Sequence, residues 1–382
     1  MTFRLPQGVL ALSTLVGTIV GAGIFSLPYV FVKSGVVPGI FYFVFFGLIV
    51  MLLHLFWGEV CLRTSGKHRI IGYAEIYLGK WAKILAALVL VFVLVGVLLV
   101  YLILAGQFLK IIFSSVAPQV SNTAFSVLIW AVLSFFVFKG IQLISKLEFF
   151  LDLGLFAVIL VVFVSAFPHI HFQNLPLFNS SGLFFPFGIL LFSMAGWDAI
   201  PEIADLFKNK KEKERLDNVI VWGSVITVAL FLLFSLFVVG VSGTLTTQDS
   251  FGGLEQFLGK PIIVLGALFG ILAIASSFLV LGNYLKNSLY RDFHLPYGVS
   301  SFIALGLPIV LFLAGFREFL GVIGIVGAVM GAVEGILMIL IFQKAKKMGD
   351  RKPEYEIRIP QFLLFVIAAI LIGSVAMTFV LK

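Results

Sequence analysis

Eleven runs of roughly 20 apolar residues succeed one another along this 382-residue chain, each long enough to cross the hydrocarbon core of a bilayer as a helix. Lipid offers no hydrogen bonds, so a spanning segment must satisfy its own N–H and C=O groups, and a helix does so internally. The expected fold class is therefore an all-α polytopic membrane protein with 11 transmembrane helices. The runs are Gln7–Val32, Pro38–Leu62, Ile84–Phe113, Asn122–Lys139, Phe149–Phe167, Leu183–Phe207, Asp217–Ser242, Ile262–Leu289, Gly298–Ala314, Phe319–Gln343 and Gln361–Leu381. Composition points the same way: 61% of residues are hydrophobic and 12% charged, about half the charged share of a soluble domain. No stretch between runs is long enough for a soluble domain, so residues 1–382 read as one transmembrane domain. The first run exceeds a secretory h-region and no small-residue cleavage site follows it, so it reads as a retained span.

A net charge of +8 would suit a nucleic-acid partner, but the basic residues sit in the loops between apolar runs. With the N-terminus inside, only Lys33, Lys110, Lys260, Arg317 and Lys382 of the 26 lysines and arginines fall outside. This is the positive-inside bias. It predicts a cytoplasmic N-terminus, an external C-terminus, the plasma (inner) membrane as location and the lipid bilayer as partner, with no nucleic acid. The lone Cys61 excludes an intrachain disulfide and a cysteine-based zinc site.

The first and sixth runs are interrupted. In LVGTIVGAGIFSLP, residues 15–28, the poor helix formers Gly17, Gly21 and Gly23 precede Pro28, which predicts unwinding mid-span. SMAGW, Ser193 to Trp197, predicts a second break. Irregular backbone at membrane depth is tolerated only where it lines a cavity or meets a ligand. At about 1.5 Å per residue, Val20 and Gly196 both lie roughly 20 Å into their spans, one climbing outward and the other descending inward. Residues 7–167 and 183–343 therefore read as a 5+5 inverted repeat with discontinuous helices 1 and 6, plus helix 11 at 361–381. Paired breaks of this kind point to the binding site of a secondary transporter.

Helix-end N–H groups at Gly21, Ala22 and Gly23 would form an anion site suited to a carboxylate. Free carbonyls of Ile19, and of Phe192 or Ala195, suit an ammonium group, so the pair of breaks fits a zwitterion. The competing reading of Gly17-xxx-Gly21 is close helix packing. Ser193 and Gly196 complete the second break. Tyr101, mid-way along the third run, is a candidate for the substrate carboxylate, against an ordinary amphipathic packing role.

GTIVGAGIFSLPYVFVKSG together with FSMAGWDAIPEIADLFKN resembles the amino acid–polyamine–organocation transporter superfamily, and within it the amino acid/auxin permease-like branch. The resemblance spans essentially the whole chain. It implies a five-plus-five inverted fold, alternating access and an α-amino-acid substrate. It implies carboxylate binding at Gly21, Ala22 and Gly23 and ammonium contacts at the carbonyls of Ile19, Phe192 and Ala195. It also implies an aromatic gate at Phe192, although most of the 43 phenylalanines must face lipid or pack.

In the eighth run, LAIASSFLVLG sets Ala273 beside Ser276 and Ser277 at helical spacing. Two hydroxyls with the carbonyls of Ala273, Gly17 and Val20 would suit a hard cation, an arrangement similar to the sodium site of sodium-coupled relatives. Serines bonding their own helix are the bland alternative. Proton-coupled relatives place a lysine in the fifth span. Aligning KGIQLISKLEFFLDLGLF by its start puts Leu155 there, which favours Na+ as the coupling ion, with no other cofactor.

Intramembrane acids default to function. Asp198 follows the second break, where the resemblance implies a gating or proton-responsive acid, and Glu202 lies one turn on. Glu334 is expected to pair with a hydroxyl or with His54. Asp152 and Glu59 lie nearer the inner interface and read as solvated or paired with loop bases. His169 and His171 lack a third ligand and read as surface residues. KNKKEKERLDN after the sixth run reads as a solvated helix touching anionic lipid. No phosphate loop or nucleophile pair is present, so the chain is not expected to be an enzyme. A membrane-embedded enzyme would have only Asp198 with Glu334 to work with. The expectation is a secondary active transporter of neutral amino acids, aromatic or large aliphatic, working by sodium symport without an obligate protein partner. A proton-coupled permease using Asp198 is the alternative. A non-transporting sensor of transporter descent is a further rival, disfavoured by the short tails.

Overall fold

A computed structural model describes residues 6–139, 145–291 and 293–380. Among the described residues there are helices and no strands. The helices are α1 (Gln7–Ile19), α2 (Leu27–Ser34), α3 (Val36–Arg63), α4 (Ile70–Leu78), α5 (Lys80–Phe113), α6 (Asn122–Lys139), α7 (Ser145–Ala166), α8 (Pro186–Met194) and α9 (Ala199–Leu206). They continue with α10 (Lys210–Lys213), α11 (Leu216–Ser242), α12 (Glu255–Leu258), α13 (Lys260–Arg291), α14 (Tyr297–Ser301), α15 (Leu307–Leu313), α16 (Phe319–Met348) and α17 (Gln361–Val380). Among the described residues eight helical segments are long and apolar enough to cross a membrane, and the bent pair α1–α2 makes a ninth. Shorter apolar helices at Ala157–His169 and Tyr297–Leu313 fall on the fifth and ninth apolar runs.

Burial separates the inner helices from the outer ones. In α5 and α16, 78% and 72% of the apolar window is buried, against 22% in α6 and in α17. α16 packs on α8, α5, α17 and α3, and α5 on α13, α16 and α6, so α5 and α16 form the centre and α6 and α17 present apolar side chains outward. α5 has 34 residues, about 51 Å at 1.5 Å per residue, so it must tilt or project beyond the hydrocarbon core. Where α8 crosses α16, a Cβ on Gly188 would strike the Gly324 carbonyl, and one on Gly327 would strike the Gly188 carbonyl. That crossing is close because these positions carry no side chain.

At the basic end of the bundle the linker 349–360 is bound across the foot of α3. Glu59, fully buried, accepts from Arg63 Nε at 2.7 Å with one oxygen and from the Ile357 N–H at 2.6 Å with the other. Glu59 is thus paired with a base, as expected, and out of solvent. Tyr355 donates to the Leu55 carbonyl at 2.7 Å and lies against Gly58, where a Cβ would collide with its hydroxyl. Asp350 accepts from the Ser65 N–H at 2.8 Å, and this hydrogen bond holds its carboxyl below the usual carboxylate range. The lysine-rich run is not one long helix: only Lys210–Lys213 is helical before a turn at Glu214–Arg215 leads into α11, and its start is fixed by a capping box of Asn209 and Glu212.

Candidate functional site

The first break forms where three poor helix formers leave the coil weakest. α1 ends at Ile19, Val20 takes φ −79° and ψ 74°, and the Gly21 N–H donates to the Ile19 carbonyl at 2.9 Å, a tight inverse γ-turn. Gly21 is extended, a 3₁₀ turn follows over Ala22–Ser26, and α2 leaves at 45° to α1. The expectation of three free N–H groups needs one correction. That of Gly21 is used in closing the turn, which leaves those of Ala22 and Gly23 without a partner among the described residues. The carbonyls of Gly17, Thr18 and Val20 accept no hydrogen bond from described groups either.

α8 stops at Met194 and α9 starts at Ala199. Ala195 is extended, with φ −64° and ψ 133°, so its own carbonyl and those of Phe192, Ser193 and Met194 accept no described hydrogen bond. The two breaks lie against each other. A Cβ on Gly23 would lie 2.6 Å from Ser193 Oγ, and one on Gly196 would run into the Ile19 side chain. Glycine at these two positions is what lets the peptide groups of the two breaks approach. Ser193 Oγ is itself buried with no hydrogen-bond partner. Phe192 is half-buried, and its Cβ packs against Gly327 of α16.

A buried polar chain backs the second break. Trp197 Nε1 donates to Glu334 Oε2 at 2.8 Å, and the Trp197 ring meets His54 edge-on at 6.1 Å between centroids. His54 Nδ1 lies 3.5 Å from Ser224 Oγ, while its Nε2 is buried without a partner. Glu334 therefore pairs neither with a hydroxyl nor with His54; the indole between them takes the bond, because Trp197 projects from the unwound turn toward α16. Asp198, next in sequence, is exposed. Four residues on, Glu202 accepts from Arg69 Nη2 at 2.7 Å, and the Arg69 guanidinium lies over the Tyr284 ring.

The candidate ion ligands fall on α13 and at the end of α1. Ser276 Oγ is buried without a partner, and Ser277 lies beside the Tyr101 hydroxyl. α13, which carries them with Ala273, packs on α5, α7 and α6, whereas α1, which carries Gly17, packs on α11 and α9. The side chains of Leu155 and Asp152 lie outside the described residues.

Beyond the first break, away from the basic end, Phe25 meets Phe108 at 5.1 Å and Phe251 at 5.4 Å between ring centroids. Ser250 donates to the Phe25 carbonyl at 2.6 Å, so the loop after α11 is drawn down onto the break as an aromatic lid. Neither this lid nor Trp197 follows from the spacing of residues in the chain. Phe25 lies within the glycine-rich motif, but its partners come from α5 and a distant loop.

A sequence model of the tryptophan/tyrosine permease family matches residues 6–379. Glutamine transporter 2 of Aliivibrio fischeri is 27% identical over 376 residues, covering 93% of this chain and 92% of that protein. Tyrosine-specific transport system 1 of Haemophilus influenzae is 26% identical over 375 residues, covering 88% of each. The crystal structure of MhsT in complex with L-phenylalanine aligns over 97% of each chain with a TM-score of 0.67 at 14% identity, so the two share a fold.

Proposed function

The chain belongs to the tryptophan/tyrosine permease family, and on that premise we propose that it is a secondary active transporter carrying neutral amino acids inward by symport with sodium. Its family and relatives are transporters, not enzymes. The observation that carries the reading is the apposition of two unwound segments. They combine unpaired N–H groups at Ala22 and Gly23 with unpaired carbonyls at Phe192 and Ala195, across the Gly23–Ser193 contact. N–H groups at the start of a helical turn attract a carboxylate and bare carbonyls an ammonium group, so the two ends of one amino acid are met by main chain alone. The facing residues Ala22, Ala195 and Gly196 add no charge, which suits a neutral side chain. A glutamine and a tyrosine transporter among the relatives support a neutral substrate, and the tyrosine transporter with the family's name favours an aromatic side chain, with a large aliphatic one next.

Sodium is supported by the unpaired carbonyls of Gly17 and Val20 and the orphaned Ser276 hydroxyl, all oxygen donors suited to a hard cation. In this reading Ala273 and Ser277 complete the shell when α1 and α13 close together. The aromatic lid shuts the end away from the basic residues while Asp198 stands exposed, which fits one stage of alternating access with the basic end cytoplasmic. Proton coupling through Asp198, an acid placed directly beside the second break, is the second reading. Counterflow of labelled phenylalanine, tyrosine, glutamine and leucine in proteoliposomes, with sodium or potassium outside, tests the proposal. Exchange that needs sodium is expected. Exchange driven only by a pH gradient and lost in Asp198→Asn would replace sodium by the proton, and binding without exchange would leave a sensor.

A further inference from the structure

The transport mechanism makes no use of a cavity of about 560 Å3 at the basic end, lined by Lys208, Asn209, Lys210, Lys213 and Glu214 from the segment after α9 and by Arg351, Lys352, Pro353 and Glu354 from the linker 349–360. Five bases face two acids there. Arg351 Nη2 pairs with Glu354 at 2.7 Å, but none of the four lysines forms an ion pair with a described carboxylate. Glu212, the acid best placed in sequence to neutralise them, is turned away. Its carboxylate accepts from the Lys208 N–H at 2.8 Å and caps α10. The walls are held in place, one by that capping box and the other by Arg351 N–H donating to the Arg63 carbonyl at 3.2 Å and by Asp350 on Ser65. Five bases against two acids on ordered backbone, one of those acids already paired with Arg351, leave an excess of positive charge suited to an anion. The hollow lies beside the ends of α9 and α16 and the start of α11, at the basic end of the bundle.

We propose that this cavity binds a phosphate ester, from an anionic lipid headgroup or from a soluble phosphate, and so ties the end of α9 to the linker before α17. Lysine serves as a compact point charge for phosphate, and two separate segments must be held for all four to reach one group.

The test is thermal shift and native mass spectrometry of the purified full chain with phosphatidylglycerol, phosphatidylcholine or inorganic phosphate. It compares wild type, the cavity variant Lys208→Gln/Lys210→Gln/Lys213→Gln/Lys352→Gln, and a charge-matched variant Lys67→Gln/Lys83→Gln/Lys344→Gln/Lys347→Gln. Phosphatidylglycerol is expected to raise the melting midpoint and remain bound, phosphatidylcholine to do neither, and the cavity variant alone to bind more than about tenfold more weakly. A shift with inorganic phosphate but not with the lipid, lost in the same variant, assigns the soluble source. Equal phosphatidylglycerol binding by all three proteins, or no shift with either phosphate, overturns the site. None of these readouts involves amino acid uptake, so the result stands apart from the transport reading.

Discussion

Trp197 and Glu334, 137 residues apart in sequence, meet through a 2.8 Å hydrogen bond inside the bundle, with 1% and 2% of their surfaces exposed. One residue belongs to an unwound turn and the other to a central helix, so this bond fixes where the second break stands against α16.

Trp197→Phe keeps an aromatic ring, though a smaller one, and removes the donor, leaving a buried carboxylate oxygen without its partner. The expected cost is about 1–3 kcal/mol of stability, read as a lowered melting midpoint, with uptake reduced because the break loses its anchor. Glu334→Gln retains an acceptor and should recover most of the uptake that Glu334→Ala loses. Equal loss in both would mean that the charge or proton of Glu334, rather than its hydrogen bond, is what transport needs.

Gly23→Ala is expected to abolish uptake, since the new Cβ would lie 2.6 Å from Ser193 Oγ and 2.8 Å from Ser193 Cα. Adding Ser193→Gly removes the hydroxyl but not the Cα, so the double variant should regain only part of the activity. Initial uptake rates in proteoliposomes measure both. Wild-type rates in Gly23→Ala would show that the two breaks need not touch.

Ser276→Ala deletes a buried hydroxyl that has no partner to lose, so stability should hold or rise by up to about 1 kcal/mol. The sodium concentration for half-maximal uptake should nevertheless increase at least about tenfold, as for a weakened metal site. Combining it with Ser277→Ala should eliminate sodium dependence. Full sodium dependence in the double variant would remove α13 from the ion site.

The Ser65–Asp350 hydrogen bond gives the linker a defined pH response. Because the folded carboxyl sits below its ordinary value of 3.8, its contribution is fully present above that pH and is lost as pH falls through the lower, folded value. Hydrogen exchange at the Ser65 amide should therefore rise, relative to neighbouring amides, only in this acid window. In Asp350→Asn the acid-dependent part should vanish.

The breaks themselves were legible in the chain because their causes are local. α1 ends at Ile19, just before Gly21 and Gly23, and α8 ends at Met194, just before Gly196, so poor helix formers mark both places. The use of the Gly21 N–H was not legible, since a γ-turn and a simple helix end look alike in sequence. Partnerships across the fold were equally hidden. Glu334 had a serviceable neighbour in His54 by depth, yet Trp197 reaches it first, and Phe25 finds Phe108 and Phe251 only once the loop after α11 folds back. Whether Ser276 and Gly17 face one another depends on how α13 and α1 sit in the bundle, which no spacing rule encodes.

Both oxygens of Glu59 are occupied, one by its own helix and the other by the main chain at Ile357. The stretch between α16 and α17 is therefore an unsuitable place to splice an epitope or a fluorescent reporter, although its length makes it look like a free connector. Any insertion near Ile357 would strand a carboxylate at the foot of α3, and the damage would register as poor membrane expression before any change in transport could be measured.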